Sequence, residues 1–211
     1  KYLEIKNFLI CLVGLPASGI KTFANKLKIS LKKKFKNLDV KIIDPDLIRK
    51  KLTLKKFDHK KESIVRQKSL DRVKTELKKG YIVISDDLNY YSSMRHDLKN
   101  ITDILNLDFF IIHIATPIEI CLKWNEKRGK PIPNEVIYKI YNKFDKFKKY
   151  NWDVPIATYD ISTLSDLNLV IEDLFTLMEK KIINLKQELK TQRKKFVPSV
   201  DNENLDKITR I

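Results

Sequence analysis

Glycine is scarce in this sequence, with four residues in 211, at positions 14, 19, 80 and 129. Cysteine is scarcer still, and both Cys11 and Cys121 lie in apolar, strand-like or helical surroundings. Two such cysteines read as small core residues in a reducing cytoplasm, not as a disulfide or a metal site. No run of about 18 apolar residues occurs, so no segment is expected to cross a membrane. Lys1 is not followed by an apolar stretch ending in small residues, so no signal peptide is expected. No internal repeat is visible. Arginine is thin as well: only seven of the 43 basic residues are Arg.

What the chain does have is lysine, and a formal net charge of +16. Such a field attracts polyanions and speeds their encounter, which makes nucleic acid a candidate partner. A lysine-rich composition also arises from a biased genome or a heat-loving host. At 43% hydrophobic residues the chain is ordinary for a soluble protein, and its length suits one α/β domain with a short extension.

Apolar runs alternate with helical patterns. Phe8–Val13 is a continuous apolar run, as expected of a strand covered on both faces. It ends at Gly14, and Phe23, Leu27, Leu31 and Phe35 then follow at four-residue spacing, as on a helix. Further strands are expected at Val40–Ile43, Tyr81–Ile84, Phe109–Ile114 and Ile156–Ile161. Helices are expected near 60–79, 92–106, 117–128, 133–149 and 166–190. This alternation predicts an α/β fold: three layers, with a parallel five-stranded sheet between helices and the Gly14 strand near its centre. Residues 1–178 form the expected domain. From Glu179 to Lys195 seven basic residues stand against two acidic ones, so 179–211 reads as a basic helical extension, broken at Val197-Pro198-Ser199. It is either a solvated face or an RNA contact.

Two of the four glycines fall in one turn: Gly14, Leu15, Pro16, Ala17, Ser18, Gly19, Ile20, Lys21 and Thr22. A buried strand before it and an amphipathic helix after it are the setting of a phosphate-binding loop. There, backbone N–H groups and the helix N-terminus cradle phosphates, and a Lys reaches the β- and γ-phosphates. The usual spacing is GxxxxGK[ST]. Here Ile20 takes the Lys place and Lys21 the place of the Mg²⁺-binding hydroxyl. Either Lys21 works from one residue late, or the loop is one residue longer and Lys21-Thr22 is the working pair.

Ligands of open α/β sheets sit at the carboxyl ends of the strands. Three clusters are expected there: Asp44-Pro-Asp46-Leu-Ile-Arg49; Asp86-Asp87-Leu-Asn89-Tyr90-Tyr91 with Arg95; and Arg128-Gly129. Phosphoryl transfer needs a carboxylate to take the acceptor's proton, a carboxylate to orient Mg²⁺, and cations on the spreading charge. Asp46 is placed as the base, unless it merely caps a helix from Leu47 onward. Asp86 is the natural metal carboxylate, with Asp87 as a substitute. Arg49, Arg95 and Arg128 are the candidate cations.

The strings GLPASG, DPDLIR, DDLNYYSSMRHDL, RGKPIPNEVI and KYNWDVP run in the same order in the L-seryl-tRNA(Sec) kinases, a family this chain resembles over roughly residues 8–160. The resemblance implies a P-loop kinase that uses ATP and Mg²⁺ to phosphorylate the serine of Ser-tRNA(Sec) in selenocysteine synthesis. Asp46, Arg49 and Arg128 would be catalytic, residues 14–22 would hold the nucleotide, Thr22 and Asp86 the metal, and Asn89, Tyr90, Tyr91 and Arg95 the substrate. Three features depart from that family: the displaced Lys, Trp124 where a first lid Arg belongs, and a short C-terminal part. The chain is also similar to the Elongator-associated tRNA-binding ATPases, which share Leu88-Asn89-Tyr90 and Trp124-Asn125. A regulatory ATPase and a pseudokinase that only binds are therefore the rival readings.

Overall fold

In the computed structural model, residues 6–52 and 59–195 are described. The strand β1 (Phe8–Gly14) is buried along its whole length because it has a partner on each side. These partners are β3 (Ile82–Ser85), with Ile10 opposite Ile84, and β4 (Asp108–Ile114), with Gly14 opposite Ile114. Outside them lie β2 (Val40–Ile43) and β5 (Ala157–Tyr159), which completes a parallel five-stranded sheet in the order β2-β3-β1-β4-β5. The expected α/β architecture, with the Gly14 strand at its centre, is the one observed.

The two-residue period of β1 divides the core. Phe8, Ile10 and Leu12 face one side, under α1 (Ile20–Lys34) and α7 (Leu167–Lys195), where they meet Phe23, Leu27, Leu31, Leu174 and Phe175. Leu9, Cys11 and Val13 face the other, against Val73 and Leu77 of α3 (His59–Lys78) and Leu98 and Ile101 of α4 (Ser92–Leu105). Both cysteines are free and buried, and burial raises the thiol of Cys121 to about 12. No described helix is long and apolar enough to cross a membrane.

Four differences from the sequence reading have local causes. A short helix, α2 (Pro45–Lys51), follows β2 directly; Pro45 fixes its first turn, and Asp44 caps it by accepting from the Asp46 N–H at 2.8 Å. The last strand stops at Tyr159, because the Asp160 carboxylate accepts from the N–H and hydroxyl of Ser162 and turns the chain into a 3₁₀ turn, Ile161–Thr163. After α5 (Ile118–Lys127), α6 (Asn134–Asn142) ends short of residue 149. Asp145 there is drawn to α4, accepting from the Ser92 N–H and hydroxyl while its own N–H donates to the Tyr90 carbonyl. Finally, α7 extends to Lys195, beyond the expected end near 190, and Ile182, past the expected domain boundary at 178, is buried in the core. The expected break at Val197-Pro198-Ser199 lies outside the described residues.

Candidate nucleotide and acceptor site

The strand order reverses on either side of β1, so the carboxyl end of β1 is where a ligand crevice should open. The turn that follows is built to bring backbone close. A Cβ on Gly14 would lie 2.7 Å from the Ile114 carbonyl oxygen, so only glycine allows β1 and β4 this approach. Gly19 has φ +92° and caps α1, which starts at Ile20. The Thr116 hydroxyl donates to the Ser18 carbonyl at 2.9 Å and pins the loop crest. Ser18 Oγ, itself buried, has no protein partner. A buried hydroxyl without a partner is a costly arrangement, and a phosphate oxygen in the loop would relieve it.

Gly14 aside, every residue of the expected nucleotide loop, Leu15 to Thr22, lines one cleft of about 290 Å³ together with Asp44, Asp46, Arg49, Asp86, Asp87 and Arg128. The two odd residues part company there. Ile20 is 7% exposed and belongs to the hydrophobic core, its side chain folded back toward Gly14. Lys21 turns to the end of β2, with Nζ 2.9 Å from Asp44 Oδ2 and 3.2 Å from Asp46 Oδ2. Burial lowers the Lys21 pKa, but the hydrogen bonds to Asp44 and Asp46 outweigh it, and the net shift is upward.

Asp46 does not cap α2, since Asp44 does. Its carboxylate faces the cleft, with Oδ1 accepting from Arg49 Nη1 at 2.5 Å. The Arg49 guanidinium donates twice more, at 2.8 Å each, to the two oxygens of Glu62 on α3. This fork-to-carboxylate pairing fixes the plane of Arg49 beside Asp46. Asp86, at the end of β3, is 7% exposed. Burial, and then the charge of Asp44, push its carboxyl up to about 7. Asp87 is also raised by burial, opposed by Arg66.

The donor set suits a hard divalent cation: the Asp86 carboxylate has no ion pair among the described residues, and Thr22, exposed, adds a hydroxyl to the same cleft. Among the described residues no cluster of three or more His, Cys, Asp or Glu side chains is set to hold a metal alone. A cation there would be shared with phosphate oxygens, the usual habit of Mg²⁺.

A second cavity, of about 660 Å³, adjoins the first across Pro45, Arg49, Asp87 and Leu88. Tyr90 and Tyr91 line it with ring centroids 4.2 Å apart, beside Met94, Ile140 and Lys143. Burial, then Tyr91, raise the Tyr90 hydroxyl to about 12, so it stays a donor at any working pH.

Two residues expected beside the substrate are elsewhere. Arg95 is fully buried: it donates to both oxygens of Asp153 at 2.6 Å, to the carbonyls of Asn89, Tyr90 and Asp145, and lies over the Phe147 ring. With its donors consumed, it orders the loop that carries Tyr90 and cannot meet a ligand. Asn89, also buried, donates to the Leu12 carbonyl at 2.9 Å and ties that loop to β1. Sequence reasoning missed Glu62 and Arg66. Arg66 donates to the Met94 carbonyl and stands 3.6 Å from Asp87. Their i, i+4 spacing on α3 shows that they share a face, but not that the face lies over α2.

On the lid side, the Trp124 ring lies within 3.5 Å of the point a Cβ on Gly19 would occupy. Buried Asn125 donates to the Ile132 carbonyl at 2.6 Å and accepts from its N–H. This clasp closes the 128–133 segment, in which Gly129 and Lys130 take positive φ, and presents an exposed Arg128 to the cleft.

Residues 8–211 match the family described as chromatin associated protein KTI12. An L-seryl-tRNA(Sec) kinase of Methanococcus maripaludis is 36% identical over 203 residues, which is 96% of this chain and 77% of that protein. Protein kti12 of Schizosaccharomyces pombe is 28% identical, over 81% of this chain and 62% of its own length. Among solved structures, Chaetomium thermophilum Kti12 in complex with ADP-AlF3 superposes with a TM-score of 0.65 at 21% identity, covering 80% of this chain and 98% of that one.

Proposed function

This chain belongs to the KTI12 family and has the P-loop kinase fold, and from that premise we propose that it transfers the γ-phosphate of ATP to the serine of a seryl-tRNA, that of Ser-tRNA(Sec). The observation that carries the reading is Asp46. It is relieved of capping by Asp44, held by Arg49, and set in the cleft that the phosphate loop lines. Its support from relatives is the 36% identity to an L-seryl-tRNA(Sec) kinase.

In this reading residues 14–22 hold the nucleotide phosphates. The seryl end of the acceptor enters through the cavity of Tyr90 and Tyr91, with Arg49 at the junction. Asp46 takes the proton from the serine hydroxyl as that oxygen bonds to the γ-phosphorus and the bond to the ADP oxygen breaks. Arg49 and Arg128 face the charge that spreads over the transferred group. Asp86 and Thr22 would hold Mg²⁺, which when bound neutralises phosphate charge. Arg95 and Asn89 act as positioning residues through the Tyr90 loop.

A second reading, a tRNA-binding ATPase that leaves the RNA unmodified, is favoured by Ile20. No cation stands at the usual Lys position of the loop, and the KTI12 relatives share the fold. Mixing the protein with γ-labelled ATP and Ser-tRNA(Sec) separates the two. Label on the aminoacyl end is expected; label released only as free phosphate would establish the ATPase.

A further inference from the structure

A loop far from the phosphate turn carries a pattern that the nucleotide site does not use. Residues 143–152 alternate lysines with rings: Lys143, Lys146, Lys148 and Lys149 among Phe144, Phe147, Tyr150 and Trp152. The fold sorts them. Phe144 and Phe147 turn inward, packing on His113 at centroid distances of 5.6 and 4.9 Å. The four lysines are exposed, and none stands within ion-pair range of an acidic side chain among the described residues. Tyr150 is 43% exposed. Its plane lies within 10° of that of Trp152, with centroids 5.8 Å apart, so the rings are offset rather than superposed. His96 flanks Trp152 at 5.1 Å, and Lys149 stands over Tyr150.

The loop is also held rigid. The Lys148 N–H donates to the Asp153 carbonyl and the Asp153 N–H to the Tyr150 carbonyl, while the buried Arg95 grips the Asp153 carboxylate. Beside Trp152 opens a hollow of about 440 Å³, walled by Asn151 and Val154 and lined also by Lys181, by Asp108 and by Lys99 with its ion-pair partner Asp103.

Near-parallel rings on a fixed loop, Tyr150 exposed and Trp152 half-buried, set among uncompensated lysines and next to a hollow, match what unpaired RNA requires. Bases stack on the rings and phosphates follow the cations, without the groove geometry that a duplex needs. We propose that residues 143–152 form a stacking platform for a single-stranded segment of RNA, with Tyr150 and Trp152 taking bases and Lys146, Lys148 and Lys149 the phosphates. The assignment rests on the reading that this chain acts on an RNA. It differs from the basic stretch 179–195, which has charge but no aromatic residue.

The test is the affinity of the full chain for a short fluorescein-labelled single-stranded RNA and for a duplex RNA of equal length, without nucleotide, with melting curves as a fold control. Tyr150→Ala should weaken single-strand binding about tenfold and leave duplex binding unchanged, while Tyr150→Phe should bind within about twofold of the parent. Changing Lys146, Lys148 and Lys149 to Gln should flatten the salt dependence by about 0.7 in slope for each phosphate that is no longer neutralised. Tyr150→Ala binding the single strand within twofold of the parent overturns the platform. So does an equal loss on single strand and duplex. Since no phosphate is transferred in this assay, a chain that proves to be an ATPase gives the same answer.

Discussion

Two arginine–carboxylate clusters in this protein, Arg95 of α4 with Asp153 and Arg49 of α2 with Asp46 and Glu62, are built from the same chemistry in different surroundings. Arg95 and Asp153 are both at 0% exposure, and the pair is saturated by three backbone carbonyls and an aromatic face. Arg49, at 33% exposure, has one carboxylate behind it in Glu62 and another, Asp46 at 58%, open to the cleft. A guanidinium with all its donors spent fixes architecture. One whose carboxylate partner still faces solvent leaves that carboxylate open to the cleft. The difference lies in what surrounds each pair, not in the residues.

The largest way to break this contrast is Arg95→Ala, which strands Asp153 as an unpaired buried charge. A loss of about 3–5 kcal/mol of stability is expected, enough to lower thermal melting by about 6–20 degrees for a domain of this size. A melting point within two or three degrees of the parent would return Arg95 to the residues that face a ligand.

The phosphate loop sharpens the comparison with a smaller effect. Ile20→Lys combined with Lys21→Ser moves a cation to the loop and a hydroxyl to the metal side, and frees Asp44 and Asp46 of their lysine. Tighter Mg·ATP binding and at least a tenfold rise in turnover are expected, about 1.4 kcal/mol. Loss of activity would mean that Lys21 is the working phosphate ligand where it stands.

The smallest effect is set by Asp86. Its carboxyl titrates near 7 in the folded protein and near 3.8 unfolded. The folded chain therefore binds the extra proton between those values, and apo stability falls as pH rises across that window. A cation must displace the same proton, so Mg·nucleotide affinity should rise about fourfold from pH 6.5 to 8. In Asp86→Asn that rise should vanish; its persistence would assign the titration to another group.

Much of the frame was readable in the sequence because its signals are local. The run Phe8–Val13 marks a strand with two partners, and two of only four glycines mark the turn after it. The helix α2 was legible only as an alternative, from Leu47 onward, because seven residues are too few to show a period, although Asp44-Pro45 is a sound start signal. Glu62 and Arg66 escaped for another reason: their role exists only once α3 crosses α2. Arg95 was misplaced because a charge just past a strand end reads the same whether it points out to a ligand or in to Asp153, 58 residues away.

The claim that the open cluster does chemistry is tested most directly by Asp46→Ala, assayed in one preparation for ATP affinity, melting, and transfer of labelled γ-phosphate to Ser-tRNA(Sec). Asp46 caps nothing and is 58% exposed, so affinity within about threefold of the parent and an unchanged melting point are expected. Transfer should fall about a hundredfold or more, about 2.7 kcal/mol of lost base catalysis. Near-normal transfer by a folded Asp46→Ala protein would contradict the account.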